Sequence, residues 1–169
     1  PKEAAAIIIN APQKDFNKND AQKVIDYLQK GGKAIIVGMH SETEMPNFAS
    51  ILDTYGVSLT TGPIADNDAQ HYYNMGGPLY LLPNVNSSSY TGSLSGGYVY
   101  LPISLGINYP QNSTTDDTES TEESKTTYTS LLDTSDDAVA KNNPNSMQDY
   151  GYEDGDDKGP FSVGLAVED

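Results

Sequence analysis

Two short apolar runs flank an amphipathic stretch at the head of this chain. Residues Ala4, Ala5, Ala6, Ile7, Ile8 and Ile9 are apolar without interruption and end in β-branched side chains, the composition of a strand buried on both faces. Asn10, Ala11 and Pro12 break that run. From Asn17 or Asn19, either of which can serve as N-cap, Ala21, Val24, Ile25 and Leu28 recur at helical spacing, with Asp20 near the positive end of the helix dipole. Gly31 and Gly32 stop the helix, and Ala34, Ile35, Ile36, Val37 and Gly38 read as a second buried strand. A crossover of this length predicts parallel pairing with a right-handed connection. The expected fold class is therefore α/β.

The pattern continues with Phe48, Ile51, Leu52 and Tyr55 at helical spacing after Pro46, and Gly56 as the left-handed stop, which predicts a second helix. Val57 to Ile64 reads as a short return segment, and Asp66, Asn67 and Asp68 as a polar loop. Between Asn74 and Gly97, Gly-Gly-Pro, Pro-Asn, a Ser run and a second Gly-Gly favour turns and extended pieces over helix. Tyr98 to Ile103 predicts a strand, Tyr128 to Leu132 another, Asp136 to Ala140 a short turn of helix, and Phe161 to Val167 a last strand that closes the sheet. Residues 111–126 are dominated by Asn, Ser, Thr, Asp and Glu with no apolar position, the mark of an acidic solvated loop or insertion.

Composition narrows the functional classes. A length of 169 residues suits a single domain, 1–169, with room for a core. The net charge of −15, with nine Lys plus Arg, argues against nucleic acid or an anionic membrane surface as partner. Without cysteine there is no disulfide, no thiolate nucleophile and no Cys-based zinc site. No apolar run reaches the roughly 20 residues that span a bilayer, and the start at Pro1 has no signal-peptide pattern, so the chain reads as a soluble piece of something longer. Twelve Tyr, no Trp and an acidic surface suit a bacterial domain outside the cytoplasm.

The order of five segments resembles the GldG-like auxiliary proteins of ABC-type transport systems, a bacterial family named for gliding motility. These are Ile8-Ile9-Asn10-Ala11-Pro12-Gln13-Lys14-Asp15-Phe16, Ile25-Asp26-Tyr27-Leu28-Gln29-Lys30-Gly31-Gly32-Lys33, Ile51-Leu52-Asp53-Thr54-Tyr55-Gly56-Val57, Leu131-Leu132-Asp133-Thr134-Ser135-Asp136-Asp137-Ala138 and Gly159-Pro160-Phe161-Ser162-Val163-Gly164-Leu165-Ala166. The resemblance implies an extracytoplasmic α/β domain of class I glutamine amidotransferase-like or flavodoxin-like fold, a three-layer, mostly parallel sheet flanked by helices, with a β-rich, loop-rich C-terminal half. It also implies membrane attachment through flanking segments, and ABC permease and ATPase subunits as partners. The acidic 111–126 segment departs from the family pattern.

Candidate chemistry is sparse. The Ser-rich Gly92-Ser93-Leu94-Ser95-Gly96 segment invites comparison with the G-x-S-x-G nucleophile elbow, but an elbow needs a strand before it and a helix after it, and here a turn precedes and a strand follows. A glutaminase of the amidotransferase type needs the cysteine this chain lacks. Open α/β sheets bind ligands beyond the carboxyl ends of their strands, which makes Asn10, Gln13, His40, Ser41 and Glu42 the candidate crevice, with no phosphate-binding glycine turn beside them. The alternative for His40 is strand-end packing with solvated acids around it. Asp66 to Asp68 and Glu153, Asp154, Asp156 and Asp157 are oxygen-rich loops without EF-hand spacing, read as solvated surface or a calcium site, and no cofactor is expected. Tyr72, Tyr73, Tyr80, Tyr90, Tyr98 and Tyr100 form either a sugar- or peptide-binding face or a set of buried rings with hydroxyls at the rim. The expected function is a non-enzymatic accessory or binding domain of an ABC-type transporter, recognising a partner subunit, a small molecule or a glycan. A stand-alone carbohydrate- or peptide-binding module is the alternative, and a serine hydrolase using Ser95 the least supported reading.

Overall fold

The computed structural model describes residues 4–94, 96–111, 126–142 and 149–169. Its elements in chain order are β1 (Ile7–Asn10), α1 (Lys18–Leu28), β2 (Ala34–Val37), α2 (Pro46–Asp53), β3 (Ser58–Asp66), β4 (Tyr80–Leu81), β5 (Asn84–Val85), a 3-10 turn (Gly92–Leu94), β6 (Leu101–Pro102), β7 (Leu105–Asn108), β8 (Thr127–Asp133), β9 (Ala138–Ala140), β10 (Asp157–Lys158) and β11 (Ser162–Glu168).

The head of the chain folds as a strand-helix-strand unit. Asn17 is the N-cap of α1, its Oδ1 accepting the Asp20 N–H at 2.9 Å, and Gly31 with φ +80° turns the chain out of the helix. β1 and β2 pair in parallel with Ile8 beside Ile35 and Ile9 beside Ile36. Helix α2 begins at Pro46 with Met45 as an N-cap that offers no side-chain bond. Asp15, more than thirty residues upstream, supplies the missing acceptor: Oδ1 takes the Phe48 N–H at 2.9 Å and Oδ2 takes the Asn47 N–H at 3.2 Å and its side-chain amide at 2.7 Å. That bond set fixes α2 against the β1–α1 connection. Ile9, Ala21, Leu28, Phe48 and Ile51 form the core between the two helices and the parallel pair. Each large apolar side chain buried there contributes about 1.5–3 kcal/mol.

The expected fold class is corrected by the rest of the chain. Among the described residues only β1 and β2 pair in parallel; the large sheet has seven strands in the order β10-β9-β3-β7-β11-β8-β5, and every neighbouring pair is antiparallel. This is not the three-layer, mostly parallel sheet of an amidotransferase-like or flavodoxin-like domain. After α2 the chain does not return beside β2 but starts a separate sheet with β3. β3 breaks register between Leu59 and Pro63, where proline has no N–H to give to a ladder. Thr60 repairs the gap, its hydroxyl donating to the Gly62 carbonyl and accepting the Gly106 N–H, both at 2.9 Å. Beyond that irregularity β3 changes partner, from β7 to β9, with Ile64 opposite Ala140 and Asp66 opposite Ala138.

A second core forms around this point from Ile64, Leu81, Ala138 and Ala140, with Leu101, Phe161 and Val163 packed on it. Leu59 packs into the first core and Ile64 into the second, so β3 joins the two. Tyr128 of β8 donates its hydroxyl to the Tyr55 carbonyl at 2.7 Å and ties the sheet to the end of α2.

Several local expectations also change. The strand β1 is covered on one face only, because Ile8 is 69% exposed and Ile35 60%. A β-branched run records strand propensity, and does not say how many layers cover it. Ala138 to Ala140, expected as a helical turn, is the buried strand β9, a place between β3 and β10 that small side chains fill. Of Tyr98 to Ile103 only Leu101 and Pro102 pair, with β4. β11 lies inside the sheet between β7 and β8 and does not close it. Within the 111–126 segment, residues 112–125 lie outside the described residues.

Candidate functional site

Asn10 and Gln13 leave β1, and His40, Ser41 and Glu42 follow β2, at the same end of the parallel pair, since Asn10 stands beside Val37. Ala11, directly before Pro12, has φ +45°, a conformation that costs a non-glycine residue energy and that a pre-proline position rarely adopts. The Gln13 amide donates back to the Ala11 carbonyl at 3.2 Å. His40 Nδ1 lies 3.3 Å from the Thr61 carbonyl, which draws its loop over the start of the large sheet, and Ser41 closes a local turn onto Thr43. Asn10, Gln13 and Glu42 are exposed. A pocket of about 360 Å³ lies elsewhere, between β7, β8 and β11, with Asn108, Asp133 and Ser162 in its wall and Phe161 as its apolar side.

The hydrolase reading turns on Ser95 and the histidines. The third position of Gly92-Ser93-Leu94-Ser95-Gly96 is Leu94, where the elbow has serine, so the segment does not match that motif at all. Ser95 itself lies outside the described residues. Both nitrogens of His71 are engaged, Nδ1 with Asp68 at 3.0 Å and Nε2 with Asn84 at 3.2 Å, which makes it a brace between the loop after β3 and β5.

The two acidic loops are not simply solvated. Asp66 is fully buried at the end of β3; its carboxylate accepts the Ser135 N–H at 2.9 Å, the Ser135 hydroxyl at 2.5 Å and the Asp68 N–H at 3.1 Å. Asp156 is buried as well and faces the ammonium of Lys141, the largest fully buried side chain described. Lys141 Nζ lies 2.7 Å from Asp156 Oδ2, 2.7 Å from the Gly151 carbonyl and 3.2 Å from Glu153 Oε2. Burial opposes the charge on both partners and is the largest effect on each. The hydrogen bonds outweigh it, holding Lys141 above its ordinary pKa and Asp156 below. Among the described residues, no group of three or more His, Asp or Glu is arranged to hold a metal ion.

Two surfaces stand exposed, an aliphatic one that the sequence pattern assigned to the core and an aromatic one among the tyrosines it offered as a binding face. The outer face of the parallel pair presents Ile8, Ile35 and Val37, and the two-strand sheet pairs with no further strand among the described residues. Parallel strands are ordinarily covered on both faces, so a bare aliphatic face there is unusual. The same unit is the least acidic part of the chain: residues 1–38 hold six lysines against four carboxylates, and the rest hold three against twenty. The second surface is aromatic. Tyr100 stacks on Tyr80 at 6.1 Å and meets Tyr73 edge-on at 6.0 Å, while Tyr98 beside them in sequence is 89% exposed. Tyr73, Tyr90, Tyr98 and Tyr100 are thus not buried rings with hydroxyls at the rim. The alternation Ile7/Ile8/Ile9 against Ala34/Ile35/Ile36 carried the signal for the first surface, once one face alone was assigned to the core.

No protein-family model matches the chain, and no curated protein matches it. Among solved structures, the mmIFT52 N-terminal domain is similar, with a TM-score of 0.52 and 12% sequence identity over 78% of this chain and 54% of that one. The chain spans about half the length of that structure, and at this identity the likeness is one of fold alone.

Proposed function

We propose that this chain is a non-enzymatic, extracytoplasmic accessory domain of an ABC-type transport system, docking on a partner subunit through the outer face of β1 and β2. The observation that supports it is the bare aliphatic face of Ile8, Ile35 and Val37 on a two-strand parallel sheet. Exposed apolar surface of this kind marks protein interaction sites, with polar residues at the rim. The order of the GldG-like segments supports the choice of partner, the permease and ATPase subunits; the amidotransferase-like fold is no part of the reading. Lys14 and Lys33, at the two ends of the parallel pair, suit a partner surface with acidic residues around an apolar centre.

The test is co-purification of the intact membrane-anchored parent protein in mild detergent, with Ile8→Lys and Ile35→Lys alongside. Stoichiometric permease and ATPase with the native protein, lost in both variants while their melting temperatures hold, is the expected result. Recovery of the parent alone, from membranes that contain those subunits, refutes the reading. A second reading, a carbohydrate- or peptide-binding module, is favoured by the ring cluster of Tyr73, Tyr80 and Tyr100, of which Tyr73 and Tyr100 are exposed, together with the exposed Tyr98. A glycan array with Tyr98→Ala as control separates it from the first.

A further inference from the structure

Lys141 directly follows β9 and Asp156 directly precedes β10, and the register that sets Asp157 opposite Ala140 sets these two side chains opposite each other across the last strand pair of the sheet. Both side chains are completely buried, Nζ and Oδ2 are 2.7 Å apart, and the Glu153 carboxylate, whose side chain is 40% exposed, stands 3.2 Å from the same nitrogen. An amine and a carboxyl held in contact, away from water, with a second carboxyl able to carry protons, are the components of an amide condensation. We propose that Lys141 and Asp156 join in an intramolecular isopeptide bond between Nζ and Cγ, with Glu153 as the proton carrier.

The resting pair is ammonium and carboxylate. A proton passes along the 2.7 Å hydrogen bond to Oδ2, leaving a neutral amine beside a neutral acid. The Nζ lone pair then adds to Cγ, and the negative charge that develops on Oδ1 is met by the Asn142 N–H, 3.0 Å away. Glu153 removes a second proton from nitrogen and delivers it to Oδ2; the Cγ–Oδ2 bond breaks and water departs on the side that Glu153 opens to solvent. Lysine ammonium and aspartate carboxylate give one secondary amide and one water, Glu153 is regenerated, and no electron changes hands. The product keeps its partners: Oδ1 retains the Asn142 N–H, and the new amide N–H points at the Gly151 carbonyl, 2.7 Å from Nζ before reaction. The bond clasps β10, an edge strand of two residues, onto β9.

Intact-mass spectrometry of the purified chain, unfolded after a long incubation in the folded state, decides the matter. The expected mass is one water below that of the sequence, and the proteolytic map shows the Lys141 segment joined to the Asp156 segment. Lys141→Arg restores the full mass, and Glu153→Gln leaves the native-length linkage unformed or slower to form. The full sequence mass in folded native protein overturns the proposal. So does a water loss that maps to a cyclic imide at Asp154-Gly155 in an unlinked peptide. Linkage at an unchanged rate in Glu153→Gln overturns the assignment of the proton carrier. The native measurement stands by itself if a variant fails to fold.

Discussion

Replacing Asp66 by Ala tests whether one buried carboxylate sets the join between β3 and the β8–β9 turn. The side chain is 0% exposed and accepts three hydrogen bonds, two from Ser135 and one from the Asp68 N–H. A hydrogen bond to a charged group contributes about 1.5–3 kcal/mol, and three that share one acceptor do not add in full. Truncation orphans the donors and leaves a void beside Ala138, so Asp66→Ala is expected to cost about 3–5 kcal/mol. For a domain whose whole stability is about 5–15 kcal/mol that is a large share. Asp66→Asn separates shape from chemistry. The amide oxygen can still accept from the Ser135 hydroxyl and the Asp68 N–H, but its NH₂ is set against the Ser135 N–H, for an expected cost of about 1–3 kcal/mol. Urea unfolding of the three proteins, with m-values compared, reads both numbers. An Asp66→Ala protein within about 0.5 kcal/mol of the native one at equal m refutes the reasoning. A reversed order of the two variants does so too.

Further consequences concern Gly62 and Asp15. A Cβ at Gly62 would stand 1.6 Å from the Lys141 carbonyl oxygen and 2.2 Å from its carbon, so Gly62→Ala must push β9 off β3. Its cost is expected at or above the upper end of the about 1–3 kcal/mol typical of overpacking, measured by thermal unfolding, and a native melting temperature contradicts it. At Asp15, burial is the largest effect and pushes the carboxyl up. The N–H groups of Phe48 and Asn47, the Asn47 amide and the Phe16 N–H together hold it below the usual 3.8. A depressed carboxyl contributes stability above the unfolded pKa and loses it as pH falls through the folded value. The stability gap between native protein and Asp15→Ala is therefore expected to be widest near neutrality and to shrink below pH 3.8, in unfolding curves taken across that range. A gap that stays constant on acidification means that the carboxylate is not the cap of α2.

The local elements at the head of the chain were legible because each rests on neighbours in sequence. Ala21, Val24, Ile25 and Leu28 share one helix face, Asn17 lies three residues before the N–H it caps, and Gly31 and Gly56 stop helices by their own positive φ. The candidate crevice residues Asn10, Gln13, His40, Ser41 and Glu42 were placed at one end of the parallel pair by the same local logic. Neither the number of layers nor the large sheet could be read this way. Ile7-Ile8-Ile9 has one composition whether one face or two are covered, and tertiary packing left Ile8 and Ile35 bare. Ala138-Val139-Ala140 became an inner strand only because the end of β3, Ile64 to Asp66, pairs with it. The acids at Asp66 and Asp156 look like solvated surface in a chain of net charge −15, and became buried acceptors through Ser135 and Lys141, respectively sixty-nine and fifteen residues away. Sequence by itself determined where backbone and side chains within one turn satisfy each other; only the tertiary structure decided which strands pair, which faces are covered and which charges meet, because those depend on contacts between residues that no local pattern links.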